Sequence, residues 1–221
     1  MITSLHPNNI FDLVLGQLRN FYPDGKPLDY TLIKRAVQES LERLEFCFQN
    51  IENNYYRLDK KPYFNHLNTD HWCSFLWFLS NQIHDISNHH RDAEKLFGLN
   101  KALHGIDVFY SVDLPNIFLF VHPLGTILGK AKYSNYLVVY QNVTVGSDLN
   151  NNYPEMAECV ALMSKSSVLG SSKIGKEVWL SANSMTCGKN IPDNSAVFGV
   201  HPGNTIKTSK RSVKGSFFLN T

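Results

Sequence analysis

Aliphatic residues recur every six positions in the second half of the chain, and this period limits the possible folds more than any other feature. The residues that keep the step are Leu162, Val168, Ile174 and Leu180, with Leu137 and Val143 earlier. Small residues follow them at Gly146, Gly170, Gly175, Ser181 and Ala182. The pattern predicts hexapeptide repeats, in which each repeat makes one short strand and three repeats make one triangular coil.

A coil of this kind explains both residue classes. The aliphatic side chains point into the prism, and the small residues occupy tight corners where a larger side chain would clash. Stacked coils bury one continuous core, with each coil contacting only its neighbours. The segment 148–158 interrupts the period, is rich in Asn and contains Pro154, so we expect it to loop out. An ordinary β-sandwich is disfavoured because four consecutive positions keep the six-residue step.

The first half of the chain has helical periodicity instead. One helix is predicted to begin after the N-cap Asp29, and a second after Asn68 or Thr69. Their apolar residues recur at steps of three and four, which places them on one face of each helix. These residues are Ile33, Val37, Leu41, Leu44 and Phe48 in the first helix, and Trp72, Phe75, Leu76, Leu79 and Ile83 in the second.

The remaining segments complete the predicted organisation. A third helix is expected from about Asp92 to His104, and the polar, aromatic stretch 53–65 is expected to be a loop. The predicted fold class is therefore α+β, with a helical N-terminal domain followed by a parallel β-helix of hexapeptide repeats. The expected boundaries are 1–105 for the helical domain, 106–206 for the β-helix and 207–221 for a C-terminal tail.

Composition excludes several classes of function. The 221 residues carry a formal net charge of +2, and the only basic cluster is Lys207, Lys210, Arg211 and Lys214, so we expect no nucleic-acid partner. The four cysteines form no C-x-x-C pair and are expected to be reduced, buried thiols. The longest apolar run, 117–121, is far below the ~20 residues that span a bilayer. Because no secretory signal is visible, we expect a cytoplasmic protein with no membrane partner.

Two motifs resemble a known family. Residues 121–131 contain His-x-x-Gly-x-x-x-Gly, and residues 138–146 contain Gln-x-x-Thr-x-Gly. Together they resemble the core of the serine acetyltransferase family, well over about 105–206 and only in outline over the helical half. The resemblance implies a left-handed β-helix, acetyl-CoA as co-substrate, and a homo-oligomer, most simply a trimer, with the active site between adjacent prisms.

The resemblance also implies roles for particular residues. His122 matches the general base, and imidazole suits this role because its pKa lies near neutrality. The expected cofactor-binding residues are Ser164 and Ala182 along the prism edge, with Lys207 near the CoA phosphates or, as the alternative, in a solvated tail. The expected acceptor-binding residues are Gln141, Asp113 and Tyr153. No metal is expected.

Two departures from the family pattern change the expected acceptor. Val121 stands where the family has an Asp that holds the imidazole, so Asp113 or Glu155 would have to replace it. Asn152-Tyr153 stands where an Arg-His pair precedes the proline, and that Arg would bind the serine carboxylate. These departures resemble the proteins of surface-polysaccharide clusters, so the main expectation is a sugar hydroxyl, with serine as the alternative.

Other functions remain open or are disfavoured. His84, His89 and His90 lie near Asp85 and Asp92, but solvated side chains are favoured there over a metal site. A prism-fold carbonic anhydrase needs three histidine ligands, and only His122 and His201 follow Gly105. A non-catalytic β-helix assembly partner stays open as an alternative.

Overall fold

The computed structural model describes residues 1–87 and 90–219, without the side chain of His90. The chain forms two compact units: a helical unit of residues 1–49 and 54–111, and a solenoid unit of residues 50–53 and the chain from Val112 onward. The domain boundary at residue 105 stays a prediction. In the described ranges, no helix is both long and apolar enough to cross a membrane.

The helical unit contains four long helices and a small sheet. The helices are α1 (Pro7–Phe21), α2 (Tyr30–Phe48), α3 (Thr69–Ile86) and α4 (His90–His104). The sheet has the order β1-β3-β2, from strands β1 (Ile2–Thr3), β2 (Arg57–Leu58) and β3 (Lys61–Phe64), and a 3₁₀ helix covers Asn54–Tyr56.

The caps that the sequence predicts begin two of these helices. The Asp29 carboxylate accepts a hydrogen bond from the backbone N–H of Leu32 at 2.9 Å. The Asn68 side chain accepts from the N–H groups of Asp70 and His71 at 3.0 and 3.3 Å. Each cap satisfies N–H groups that have no partner inside the helix. The predicted apolar stripes of α2 and α3 are buried, so these two helices are confirmed.

Two parts of the helical unit differ from the sequence expectation. Helix α1 was not predicted, although it buries Ile10, Val14 and Leu18. The expected loop 53–65 is wrong in part, because residues 57–64 form an antiparallel hairpin whose second strand pairs with the N-terminal strand. That pairing joins the start of the chain to residues far along it, which local pattern cannot show.

The solenoid unit is built from short parallel strands. In chain order they are β4 (Phe118–Phe120), β5 (Ile127–Leu128), β6 (Leu137–Val139), β7 (Thr144–Gly146), β8 (Glu155–Met156), β9 (Val160–Leu162), β10 (Ser167–Leu169), β11 (Lys173–Ile174), β12 (Val178–Leu180), β13 (Met185–Cys187), β14 (Asn190–Ile191), β15 (Ser195–Phe198) and β16 (Thr205–Thr208). They form three sheets, ordered β5-β7-β10-β13, β8-β11-β14 and β4-β6-β9-β12-β15-β16. Among the described strands of these sheets, only β16 pairs antiparallel.

Strand register confirms the hexapeptide coil. Leu162 pairs with Leu180 and Val168 with Thr186, so each of these coils advances by three repeats of six. The coil that joins Val145 to its partner Val168 is longer than this regular step. The extra residues of this coil loop out between β7 and β8, as the interrupted six-residue period predicts. The loop is shorter than expected, because Glu155–Met156 already pairs in register with Lys173–Ile174.

The prism core consists of stacked columns of inward side chains. One column contains Val139, Leu162, Leu180 and Val197, and another contains Leu128, Val145, Val168 and Thr186. The expected pair Leu137 and Val143 is buried, but the residues that stack in these columns are Val139 and Val145. Leu137 and Val143 are six residues apart, as are Val139 and Val145. The period therefore cannot tell which pair stacks in the columns, and strand pairing decides it.

The segment expected to be a tail packs on the solenoid as far as the structure describes it. The indole N–H of Trp179 donates to the Arg211 carbonyl at 2.8 Å. The backbone N–H of Val213 donates to the Glu177 carboxylate, and Val213 is fully buried. A last short helix, α5 (Lys214–Phe217), follows.

The stacked columns predict a clear difference between two leucines. Leu162→Ala should lower the free energy of unfolding by about 2–5 kcal/mol, because Leu162 is fully buried in the central coil. Leu67→Ala is the matched control, since Leu67 is 77% exposed, and it should change stability by less than about 0.5 kcal/mol. Urea denaturation of both variants measures this, and equal effects would contradict the assigned register.

Candidate functional site

His122 lies on an enlarged corner of the prism. Six residues, 121–126, separate β4 from β5, whereas four residues form each equivalent corner of the following coils, at 140–143, 163–166 and 181–184. The surplus of two residues lets the chain bulge outward here. His122 is exposed on that bulge and has a left-handed backbone with φ +48°. Asn142, Lys165 and Asn183 have the same left-handed backbone in the equivalent corners, so this conformation is a general feature of the turns, and the enlarged loop is what distinguishes the corner of His122.

The glycines of the motif are favoured by a left-handed backbone at Gly125 and by close approach to the backbone of the next coil at Gly129. A Cβ on Gly125, which has φ +72°, would lie 2.4 Å from Oδ1 of Asn142 in the next coil. A Cβ on Gly129 would lie 3.0 Å from the Val145 carbonyl oxygen. The His-x-x-Gly-x-x-x-Gly spacing therefore describes how closely this corner packs on the coil beside it.

Thr126 ties the corner to the next coil. Its hydroxyl is buried, donates to the Tyr140 carbonyl at 2.8 Å and accepts from the N–H of Val143 at 3.2 Å. The Leu124 carbonyl accepts from the N–H of Asn142 at 2.9 Å. Sequence reasoning missed Thr126, and its place inside the first motif was the only available signal. Because the Thr126 hydroxyl both donates and accepts a hydrogen bond, it holds the backbone of the corner that carries His122 in place.

Three of the expected site residues share the edge that carries His122. Gln141, Ser164 and Ala182 are each the second residue of a four-residue corner, as His122 is the second residue of its own. The Gln141 carbonyl accepts from the N–H of Lys165 and the Ser164 carbonyl from the N–H of Asn183, both at 3.0 Å, so the corners stack in register. Ser164 is half-buried and Ala182 is exposed.

Gln141 differs from the other two because its side chain is long and polar. Its Oε1 atom is buried and forms no hydrogen bond with the part of the chain that the structure describes. A buried acceptor without a partner is costly, so native proteins rarely keep one without a reason. Ser164 and Ala182 have small side chains at the same position of the following corners, and the Gln141 amide oxygen is buried at this edge.

A separate cleft lies at another part of the prism. It has a volume of about 530 Å³ and lies between the connection from β5 to β6 and the insertion loop. Its lining residues are Asp113, Lys130, Ala131, Lys132, Tyr133, Asn151, Asn152, Tyr153, Pro154 and Glu155. The structure thus brings Asp113 and Tyr153 together, as expected for acceptor-binding residues. The lining includes neither His122 nor Gln141.

The two lysines that line the cleft contact different groups. The Lys132 ammonium lies 3.8 Å from a Glu155 carboxylate oxygen, whereas the Lys130 ammonium lies 5.1 Å from the centroid of the Tyr153 ring. The Tyr133 hydroxyl donates to the Gly129 carbonyl at 2.7 Å, and burial raises the pKa of this phenol. Tyr133 therefore stays neutral and serves as a wall of the cleft.

Asp148 fixes the insertion loop that carries Tyr153. Its carboxylate accepts hydrogen bonds from the N–H of Asn150, the N–H of Asn152 and the side-chain amide of Asn152, at 2.9, 3.0 and 2.8 Å. The hydrogen bond from the Asn152 side chain, followed by the backbone bonds, lowers the pKa of Asp148. The loop therefore stays pinned wherever Asp148 is ionised.

The other expected residues lie elsewhere. Lys207 is exposed on β16, with its ammonium 5.9 Å from the centroid of the Phe198 ring. Asp113 and Glu155, considered as groups to orient His122, line the cleft, while His122 is on the other edge. His201 is half-buried beyond the last parallel strand.

The histidine-rich region at residues 84–90 is described only in part. His89 and the side chain of His90 lie outside the described residues. Asp92 is buried and accepts a hydrogen bond from the N–H of Asp29 at 3.0 Å. Among residues 1–87 and 90–219, no group of three or more His, Cys, Asp or Glu side chains is arranged to hold a metal ion.

The coils and corners define a class of protein, the hexapeptide-repeat proteins with a left-handed parallel β-helix. Within that class, the chain is similar to serine acetyltransferases. It is 24% identical over 129 residues to the serine acetyltransferase of Staphylococcus epidermidis, and 28% identical over 115 residues to that of Synechococcus elongatus. These alignments cover 57% and 50% of this chain, and 60% and 46% of the relatives, so the chain spans about half the length of the proteins it matches.

Solved structures show the same fold. The serine acetyltransferase of Neisseria gonorrhoeae superposes with a TM-score of 0.70 at 16% identity, covering 95% of this chain and 82% of that chain. The Brucella abortus enzyme in complex with coenzyme A gives 0.68 at 13% identity, covering 95% and 84%. No protein-family model matches the chain. The resemblance to serine acetyltransferase-like hexapeptide-repeat proteins is confirmed, and the polysaccharide subgroup stays a prediction.

The two buried threonines of the prism predict opposite effects of one substitution. Thr126→Val should lower the free energy of unfolding by about 1–3 kcal/mol, because it leaves the Tyr140 carbonyl and the Val143 N–H unpaired. Thr186→Val, the matched control, should raise it by on the order of 1 kcal/mol, because the buried Thr186 hydroxyl has no hydrogen-bond partner among the described residues. Chemical denaturation measures both, and equal losses would contradict this difference.

Proposed function

We propose that this protein is an acetyl-CoA-dependent O-acetyltransferase. The observation that carries the proposal is the exposed His122 on an enlarged corner that Thr126 holds in place. A fixed imidazole on an accessible edge is suited to take a proton from a bound hydroxyl group. The similarity to serine acetyltransferases in sequence and in fold supports the same chemistry.

His122 is the proposed general base. Its unprotonated ring nitrogen removes the proton of the acceptor hydroxyl while the oxygen attacks the thioester carbonyl carbon. The tetrahedral intermediate then collapses, the carbon–sulfur bond breaks, and the CoA sulfur takes the proton from the imidazolium. Donors near the carbonyl oxygen would stabilise the intermediate. With Val121 in front of His122, the orienting group comes from elsewhere. Asp113 and Glu155 remain the proposed candidates, and because they line the cleft away from His122, they would act from a neighbouring copy.

The proposed site for acetyl-CoA is the edge formed by Ser164 and Ala182. Their small side chains leave space for the extended pantetheine arm, and Gln141 offers a buried acceptor beside it. Lys207 is exposed on the last strand, where an ammonium group suits a phosphate. The Brucella abortus neighbour, which binds coenzyme A, supports this assignment.

Serine is the better supported acceptor, although the sequence departures favour a sugar. The relatives are serine acetyltransferases, and a structure of the Neisseria gonorrhoeae enzyme contains serine. The second candidate is a sugar hydroxyl of a surface polysaccharide, favoured because Asn152-Tyr153 supplies no guanidinium group and an aromatic face suits a saccharide. Asp113 and Tyr153, which share the cleft, are the proposed acceptor-binding residues in either case.

We also propose that the solenoid assembles into a homotrimer. His122 lies on one edge of the prism and the acceptor cleft on another part, so a complete site would combine groups from two copies. Apolar side chains are available for contacts between copies, since Leu149 is 103%, Leu124 65% and Ile127 47% exposed. Closed cyclic symmetry is the common arrangement of such assemblies.

Replacing the general base tests the mechanism. His122→Ala should lower turnover by about 10²- to 10⁴-fold, because the hydroxyl proton loses its acceptor. Thermal stability and coenzyme A binding should stay nearly unchanged, since His122 is exposed and the proposed groove is built from small residues on other coils. Thiol release from acetyl-CoA measures turnover, and calorimetry measures binding. A folded, fully active variant would assign the base to another residue.

Acceptor competition tests the substrate. We expect acetyl transfer to L-serine to exceed transfer to sugar hydroxyls under the same conditions, measured by mass spectrometry of the products. Faster transfer to a saccharide would favour the second candidate. If no hydroxyl acceptor raised thiol release above that of acetyl-CoA alone, the protein would be the non-catalytic assembly partner instead.

The assembly has its own test. Light scattering at working concentration should give a mass three times the 25.2 kDa of one chain. Leu149→Glu should shift the mass toward that of one chain, because it places a charge where an apolar contact is expected. A monomeric wild-type protein would contradict the trimer.

A further inference from the structure

We propose that Lys130 is the residue that recognises the carboxylate of the acceptor. The inference rests on the proposed function, because it assigns a binding role within the acceptor cleft.

The Lys130 ammonium lines the cleft and forms no ion pair with the carboxylates of Asp113 and Glu155, which line the same cleft. It lies 5.1 Å from the centroid of the Tyr153 ring, and both residues line the cleft. In the described ranges, no carboxylate pairs with it. The contact with an aromatic face orients the ammonium and leaves its charge available to an anion.

Lys132, two residues further on, shows the contrast. Its ammonium lies 3.8 Å from a Glu155 oxygen, so its charge already has a partner. Both lysines line the same cleft, have the same chain length and are exposed. They differ in pairing, which makes Lys130 the cation that can take a ligand and Lys132 a matched control.

The Lys130–Tyr153 pair is held by a fixed loop. Asp148 accepts three hydrogen bonds from Asn150 and Asn152, and the buried Pro154 follows Tyr153 directly. Tyr153 therefore presents its ring to Lys130 from a pinned segment. Binding of a ligand carboxylate would require little rearrangement of the Lys130 side chain, because the Tyr153 ring already orients its ammonium.

The chemistry of the cleft explains why an arginine is not required in the insertion loop. Asn152-Tyr153 offers no cation, but Lys130 brings an ammonium to the side of the same loop from the connection after β5. An ammonium is a compact charge that binds a carboxylate without bidentate geometry. With Lys130 in the cleft, the absence of an Arg before Tyr153 no longer disfavours serine as the acceptor.

Two substitutions and two acceptors test the role of Lys130. Lys130→Met should raise the KM for L-serine about 10- to 100-fold with little change in kcat, because it removes a charge-assisted hydrogen bond. L-serinamide keeps the hydroxyl and ammonium groups but has no carboxylate. The Lys130→Met substitution should therefore change the KM for L-serinamide by less than about twofold. Lys130→Arg should restore most of the affinity for serine, and Lys132→Met should leave the KM for serine nearly unchanged.

Direct binding separates this inference from the proposed function. Calorimetric titration of L-serine into the wild type and the Lys130→Met variant should show the same 10- to 100-fold loss. If the wild type bound serine through Lys130 but transferred no acetyl group, the proposed function would fail and the inference would stand. If serine did not bind the wild type, or if both lysine variants behaved alike, or if serinamide suffered equally, Lys130 would not be a carboxylate-binding residue.

Discussion

Backbone hydrogen bonds between successive coils are the interaction on which the solenoid depends. Each short strand pairs in parallel with the equivalent strand of the next coil, so no strand is stable without its neighbour. The same pairing stacks Val139, Leu162, Leu180 and Val197 into one column, which excludes water from the prism. Hydrogen bonding thus sets the register, and burial of the aliphatic columns stabilises it.

Departures from the regular coil create the candidate sites. The corner at 121–126 has two residues more than the equivalent corners, and it presents His122. The coil that contains β7 and β8 is longer than the coils after it, and its extra backbone presents Tyr153 beside Lys130. The regular corners carry Gln141, Ser164 and Ala182 at the same position, and the two longer segments add His122 and Tyr153 to the surface of the prism.

The sequence predicted some of the candidate site because motif residues are close in the chain. The edge that groups His122 with Gln141, Ser164 and Ala182 follows from the period, since each lies at the same place in its coil. Lys130 was missed because its significance depends on Tyr153, which is distant in the chain, and on Glu155 pairing with Lys132 instead. Charge pairing is a property of side-chain positions, and no local spacing encodes it.

The sequence by itself determined the six-residue coil, the caps Asp29 and Asn68, and the apolar faces of two helices, because these follow from contacts between near neighbours. Only the tertiary structure decided that Val139 and Val145 stack in the core columns and that residues 57–64 form a hairpin with the N-terminal strand. It also placed the cleft lined by Asp113 and Tyr153 on a different part of the prism from His122. The physical reason is that strand register and charge pairing depend on residues far apart in the chain, whose positions are set by folding.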